Sequence, residues 1–244
     1  MRKILLLLLT LTVKQAMAQL TTDLEGGAVF TGYNNIQIPG DMGTRINVTE
    51  HLSQNFTVFL RGRVTLTTAG EGKHSFSILA APLRVEYSGN APYNIRFQET
   101  DFLAGEPLNV IYRFDSYRLT YRYNFVRKEK LQIGAGLTLK VRDASIRFVS
   151  GDSSDVKTDL GVVPLINFAI RWLPRESTAI TLDGDALAAP MGRAADVGLF
   201  VNQQIYRHLW LKAGYRILEG GSDGNSVYNF SMIHYAAFGA LILF

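Results

Sequence analysis

The 244-residue chain has no cysteine, so its fold depends on no disulfide. It has only four histidines, and any imidazole-based chemistry must use His51, His74, His208 or His234. Past the first residues no stretch stays apolar for the ~20 residues that a membrane-crossing helix needs. Like charges are not clustered, which argues against a nucleic-acid-binding arm. The net charge of +4 includes basic residues at the extreme N-terminus, so it points weakly to any acidic partner.

What is present is hydrophobicity, thinly spread. Hydrophobic residues make up 47% of the chain and aromatic ones 11%, with 11 Tyr and 14 Phe. The opening Met1-Arg2-Lys3, the apolar run from Ile4 to Val13 and the Ala16-Met17-Ala18 site read as a secretory leader over residues 1–18. A mature domain over 19–244 follows.

That domain alternates with a period of two, as strands with one wet and one apolar face do. In 56–67, Phe56, Val58, Leu60, Val64 and Leu66 share one face, and Thr57, Arg61, Arg63, Thr65 and Thr67 share the other with Phe59. In 75–87, Leu79, Ala81, Leu83, Val85 and Tyr87 are set against Ser77, Ala80, Arg84 and Glu86. The same pattern recurs in 158–172, 195–206 and 209–218. Short polar turns fall at 70–73, 127–130, 174–177 and 206–208, with longer segments at 34–55, 88–107, 150–157, 188–194 and 219–226. Short turns at one end and long loops at the other are the habit of bacterial transmembrane barrels. The fold expected is all-β, an antiparallel up-and-down transmembrane β-barrel of ten strands, or twelve if 44–49 and 93–98 also span.

One hairpin bears on the membrane directly. Tyr117, Leu119, Tyr121, Tyr123 and Phe125 form an apolar face opposite Arg118, Thr120 and Arg122, but before Asp115 the apolar residues are Leu108, Val110, Tyr112 and Phe114. In the partner strand the apolar parity changes near Arg142-Asp143. Folding about Lys128 places position 115 opposite 141, so both changes sit at one height. That height implies either paired bulges or an exit from the bilayer, with the strands continuing above it.

The C-terminal stretch alternates through Tyr228, Phe230, Met232, Ala236, Phe238, Ala240, Ile242 and Phe244. Gly239, Ile242 and Phe244 resemble the Gly-x-x-hydrophobic-x-aromatic signal by which the outer-membrane assembly machinery recognises its substrates, with Ala237 as a departure. Three further segments, 112–123, 183–196 and 214–221, resemble a group of uncharacterised outer-membrane barrels. The resemblance implies a cell outer-membrane location, outer-membrane lipids and the barrel assembly machinery as partners, and no particular activity.

Carrying the parity through, Arg61, Arg63, Arg84, Glu86, Arg118, Arg122, Lys140, Asp183, Asp185, Asp196, Lys212 and Arg216 are expected to point inward, because Arg or Lys facing lipid costs about 2–4 kcal/mol at the midplane. Arg193 is placed to pair with Asp185 or Asp196, and Glu219 leads into an outer loop. Such a lumen is either a packed core of ion pairs or a narrow path with a basic wall that favours anions.

Catalytic parts are sparse. His51-Leu52-Ser53 is the one His-x-Ser pair, without a third group to orient the imidazole. Asp183 and Asp185 offer a carboxylate pair of the kind omptin-like proteases use, but no Asp-x-His accompanies it. His234 falls on the lipid side by parity. Asp152 and Asp155 supply too few ligands for calcium. No cofactor or metal is implied. The expectation is a monomeric envelope barrel, either a narrow solute channel or a structural barrel with recognition loops. A lipid A hydrolase, phospholipid hydrolase or omptin-like protease is the alternative.

Overall fold

The computed structural model describes residues 18–244, and the expected leader, Ala18 apart, lies outside the described residues. In chain order the elements are β1 (Gln19–Gln37), β2 (Ile46–Asn47), α1 (Val48–His51), β3 (Ser53–Gln54), β4 (Thr57–Thr67), β5 (His74–Ala81), β6 (Arg84–Asn90), β7 (Ile95–Phe97) and β8 (Thr100–Phe102). They continue as β9 (Pro107–Arg127), β10 (Leu131–Ser150), β11 (Ser153–Arg175), β12 (Thr178–Ala189), β13 (Gly192–Tyr206), β14 (Leu209–Gly224) and β15 (Val227–Leu243).

Pairing runs β10-β11-β12-β13-β14-β15-β1-β4-β5-β9, and β9 pairs back onto β10, so the antiparallel sheet closes. Both β5 and β6 lie on β9, as two halves of one strand interrupted at Pro82-Leu83. The ring therefore has ten strands. The twelve-strand alternative falls because 44–49 forms β2 and enters the turn of α1, while 93–98 forms one arm of the β7–β8 hairpin. Neither segment crosses.

The alternation has the sense a bilayer imposes. In β4, Leu60 is 68% exposed on the outer wall while its neighbour Arg61 is 6% exposed inside. Val58, Ile78, Leu119, Leu137, Ile166, Val201, Leu211 and Phe238 continue the exposed apolar belt around the ring. Water would not tolerate so large a continuous apolar surface, and lipid requires it.

Above the belt the chemistry inverts and the side-chain direction does not. In β9 the even-numbered residues face inward throughout: Arg118 and Thr120 low in the wall, Leu108 and Val110 high in it, all buried. The parity change in the sequence is therefore the exit from the bilayer, and no bulge marks it. Asp115 pairs with Asp143, and Tyr117 with Val141, two residues away from the register expected. The reason is that the turn centres beyond Lys128, and the register of this hairpin shifts only between Ile133 and Gly134, beside that turn.

The same inversion corrects the placement of Arg84 and Glu86. In β5 and β6 the buried set is Ser75, Ser77, Leu79, Val85 and Tyr87. Arg84 and Glu86 point out to water above the belt, paired with one another at 2.8 Å. Outside the bilayer the apolar face turns inward, as in any soluble sheet.

Three segments expected as long outer loops are strand almost to their ends, with two-residue turns at 151–152, 190–191 and 225–226. The two remaining outer segments fold over the mouth. Ile46 pairs with Ile36, Asn47 caps α1, and the β7–β8 hairpin lays Phe97 against Phe148 with ring centroids 4.3 Å apart. Ile36, Ile38, Ile46, Val48, Phe97 and Phe102 are buried there with Leu108 and Val110 of the wall. This apolar cap is the protein's hydrophobic core in the ordinary sense.

Candidate functional site

Below the cap the lumen is crossed by a layer of charge. Arg216 of β14 is its centre, donating from Nε and Nη2 to the two oxygens of Glu25 at 3.0 Å each, and from Nη1 to Asp196 Oδ1 at 2.7 Å. Arg61 donates to Asp196 Oδ2 at 2.8 Å. Arg118 reaches Asp185 at 2.7 Å and also bonds Asp196. Thr138 and Asn167 complete Asp185 at 2.6 and 2.8 Å. On the turn side, Arg63 pairs with Asp183 at 2.8 Å, and Lys212 bonds both Asp23 and Glu25 at 2.9 Å.

These residues come from β1, β4, β9, β10, β11, β12, β13 and β14, and each is there because an inward position on a short-turn barrel allows a charge nowhere else. Ion pairs this deep survive only when hydrogen-bonded on nearly every side; Arg216 and Arg118 meet that need through all three guanidinium nitrogens, whereas Arg61 Nε and Nη2 have no hydrogen-bond partner.

Of the residues expected inside, Arg61, Arg63, Arg118, Asp183, Asp185, Asp196, Lys212 and Arg216 come together in this layer. Arg122 and Lys140 also face in, but neither meets a carboxylate at ion-pair distance among the described residues; Lys140 Nζ instead lies 4.5 Å over the ring of Phe114. Arg84 and Glu86 are elsewhere, as described. Arg193 does not reach Asp185 or Asp196. Its register partners are Ala188 and Gly221, near the outer rim, where it pairs with Glu219 at 2.8 Å and lies over Phe230.

Two central carboxylates, Asp23 and Glu25, were missed. Their signal was present: Thr21, Asp23 and Glu25 alternate with Leu20, Thr22 and Leu24. With them, with Arg171 at the short-turn cavity and without Arg84 and Glu86, eight inward cations in this region face five carboxylates, a basic excess of three where the sequence implied four.

The layer separates two cavities with no lining residue in common. The outer one has a volume of about 410 Å³ and is lined by Tyr112, Phe114, Ile146, Val163, Leu187 and Leu218 among others. The other, of about 210 Å³, opens at the short-turn end beside Arg122, Asn124, Arg171 and Lys212.

The catalytic candidates do not assemble. Asp183 and Asp185 are taken by Arg63 and Arg118. His51 meets the edge of Tyr93, His74 bonds Tyr121, and His234 bonds Tyr215 on the lipid face. Among the described residues no group of three or more potential metal ligands gathers. Gly239 and Ile242 lie in β15, against Glu25 and Thr22 of β1, and Phe244 stands exposed beyond the strand end.

Asp155 has a different task from cation binding. It lies at the β10–β11 tip and accepts from Gln98 Nε2 at 2.7 Å, Thr100 Oγ1 at 3.0 Å and the backbone of Val156 at 2.8 Å, latching the β7–β8 hairpin. Partial burial raises its pKa, but these donors outweigh it and hold the carboxyl below its ordinary value. A depressed carboxylate stabilises the docked hairpin above its unfolded pKa, near 4, and that contribution is lost as pH falls through the lower docked value. Amide protection across 95–102, corrected for the intrinsic exchange rate at each pH, is therefore expected to fall below about pH 4, and Asp155→Asn to remove that acid dependence. Unchanged protection at pH 3 would show that the latch contributes nothing.

No family model matches the chain, and no curated protein matches it. Among solved structures, the outer membrane protease OmpT from Escherichia coli superposes with a TM-score of 0.53 at 8% identity, over 93% of this chain and 97% of that one. The likeness is one of fold. Ail, the attachment invasion locus protein of Yersinia pestis, matches over 92% of this chain and 98% of its own at a TM-score of 0.39 and 8% identity. A Pseudomonas aeruginosa FadL homologue matches over 91% and 67% at 0.42 and 12%.

Proposed function

We propose that this chain is a monomeric outer-membrane barrel that does not conduct solutes along its axis and instead works as a binding protein at its outer end. The observation that carries the reading is the charged layer. Glu25, Arg61, Arg118, Asp196 and Arg216 are each 6% exposed or less, and they lie between two cavities that share no lining. A path for ions needs sites that bind and release, whereas here each of these carboxylates is held by two or more basic side chains and only Arg61 Nε and Nη2 stay without a hydrogen-bond partner. The apolar cap covers part of the outer mouth, and the outer cavity reaches the rim beside it at Met191 and Ser222.

The outer-membrane setting is supported by the exposed apolar belt, the barrel fold and the terminal set Gly239, Ile242 and Phe244, which on this reading addresses the chain to the barrel assembly machinery. The omptin-like alternative loses support because its carboxylates are consumed by arginines.

The test is conductance in planar bilayers. The intact chain is expected to give no discrete steps at moderate voltage, and the double variant Arg61→Ala, Arg216→Ala to give them. Steady anion-selective steps from the unaltered protein would overturn the reading.

A further inference from the structure

The wall of the barrel is interrupted at one place. Strand β11 pairs with β10 along its whole length, from Trp172 to Ser153, but its ladder with β12 ends at Ile166 and Ala186. Above that pair, residues 153–165 of β11 have no strand partner on their other edge, and residues 187–189 of β12 pair only with β13. Pro164, which has no N–H to give to a ladder, lies two residues above the last pair.

A second split, between β4 and β6, shows how the fold seals such a gap. There β3 pairs with β6, Asn55 N bonds Glu86 O at 2.8 Å, and Gln54 bonds the backbone of Val29 and Thr31. Among the described residues no strand fills the β11–β12 split; the β7–β8 hairpin touches β11 only near its tip, where Gln98 Nε2 donates to Val156 O at 2.8 Å. Both edges of the split line the outer cavity instead, Val163 and Lys157 on one side and Leu187 and Ala189 on the other.

The split begins within the apolar belt. Pro164 and Val162 pair with Leu139 and Val141, whose side chains are exposed on the outer wall, while the next outward position of β10 is Asp143. Backbone without a ladder partner is tolerated at membrane depth only where it is buried in protein or lines a cavity that water can enter, and here both edges line the outer cavity. The cavity volume of about 410 Å³ lies in the range of small-molecule pockets, roughly 300–1,000 Å³, and its walls are mainly apolar. At its mouth Arg142 is paired with Asp159, but Lys157 meets no carboxylate at ion-pair distance among the described residues.

We infer that the β11–β12 split is a lateral portal through which the acyl chain of an anionic membrane lipid enters the outer cavity, its head group held at Lys157. The charged layer closes the cavity below; the cavity reaches the rim at Met191 and Ser222 and the wall at the β11–β12 split, and of these the split meets the hydrocarbon in which an acyl chain lies. The apolar walls suit a hydrocarbon chain, and the one uncompensated ammonium at the mouth suits a phosphate or carboxylate head.

The test uses the full chain reconstituted in vesicles that contain phosphatidylglycerol with a diazirine on one acyl chain, followed by illumination and mass-spectrometric mapping. Adducts are expected on Phe114, Leu187 and Leu218 of the cavity as well as on belt residues such as Leu137 and Val201. Ala144→Trp, which fills the cavity, is expected to abolish the cavity adducts and leave the belt adducts unchanged. Leu218→Trp serves the same purpose should Ala144→Trp fail to fold. Lys157→Gln is expected to lower the ratio of cavity to belt labelling by about two- to fivefold for this probe, the range of an exposed ion pair. The same label on phosphatidylcholine should be indifferent to that change. Belt adducts alone, or cavity adducts that survive the tryptophan, overturn the proposal. Labelling of the cavity by a water-borne diazirine fatty acid but not by the vesicle lipid would overturn the lateral route. Conductance does not enter this readout, so a failure here is separable from a failure of the closed-lumen reading.

Discussion

Arg216→Ala is expected to destabilise the barrel by about 3–5 kcal/mol, the usual cost of leaving a buried charge without its partner. Arg216 is 1% exposed and holds Glu25 and Asp196 together, with Asp183 at 3.5 Å. Without it, Lys212 and Arg61 still face these carboxylates, but none offers the same fork. Urea titration in lipid vesicles, followed by the fluorescence of Trp172 and Trp210, measures the loss. Arg216→Lys should recover only part of it, because an ammonium cannot donate along three fixed directions as the guanidinium does. Adding Glu25→Gln to Arg216→Met should cost less than the two single changes summed, since removing both ends of a pair strands neither. A loss below about 1 kcal/mol for Arg216→Ala would mean that the layer is solvated, like a surface pair, and that the two cavities communicate.

The second large effect is expected at the cap. Phe148 is fully buried, stacked on Phe97 and tilted against Phe102 with centroids 5.7 Å apart. Truncating a buried phenylalanine costs about 3–5 kcal/mol when the cavity cannot collapse. Here the cost falls on a small unit. The β7–β8 hairpin is held by Phe148, by the Asp155 latch and by Gln98 N, which bonds Ile38 O at 2.8 Å. Phe148→Ala is expected to release it, so that protease cuts within 91–106 while the apparent stability of the ten-stranded wall falls much less. Conventional local opening behaves this way, with units unfolding below the global free energy. Equal loss in both would show that cap and wall unfold together.

The wall was legible in the sequence because lipid enforces a strict rule on it. Val58, Leu60, Val64 and Leu66 had to face out, and Arg61 and Arg63 had to face in. The same rule misled wherever the strand left the bilayer. Leu83, Val85 and Tyr87 obey the periodicity of a lipid-facing strand, and nothing local says that the solvent outside them is water. Their outward neighbours Arg84 and Glu86 were therefore counted inside. The hairpin 107–150 carried the warning, since its apolar parity changes at one height on both strands. Asp23 and Glu25 were missed for another reason: β1 contains Gly26, Gly27 and Gly32, which dilute its alternation. The lateral split was not legible at all. Pro164 is a single residue in a long strand, and whether a neighbouring strand continues past it depends on the length of β12, fixed by a turn at 190–191.

The partners in the charged layer lie far apart along the chain. Glu25 belongs to the first strand, while Lys212 and Arg216 belong to the ninth, and Arg61 and Arg118 reach across to Asp196. A partly assembled sheet would thus carry unmatched arginines and carboxylates into hydrocarbon, at several kcal/mol each. For Asp23 and Glu25, neutralisation by Lys212 and Arg216 waits for β1 to meet β15, the strands that Leu24 and Ala240 zip together. Arg216 and Asp196 can meet on neighbouring strands before closure, but Glu25 and Asp23 find their cations only when the seam forms, so closing the cylinder completes the cancellation of charge.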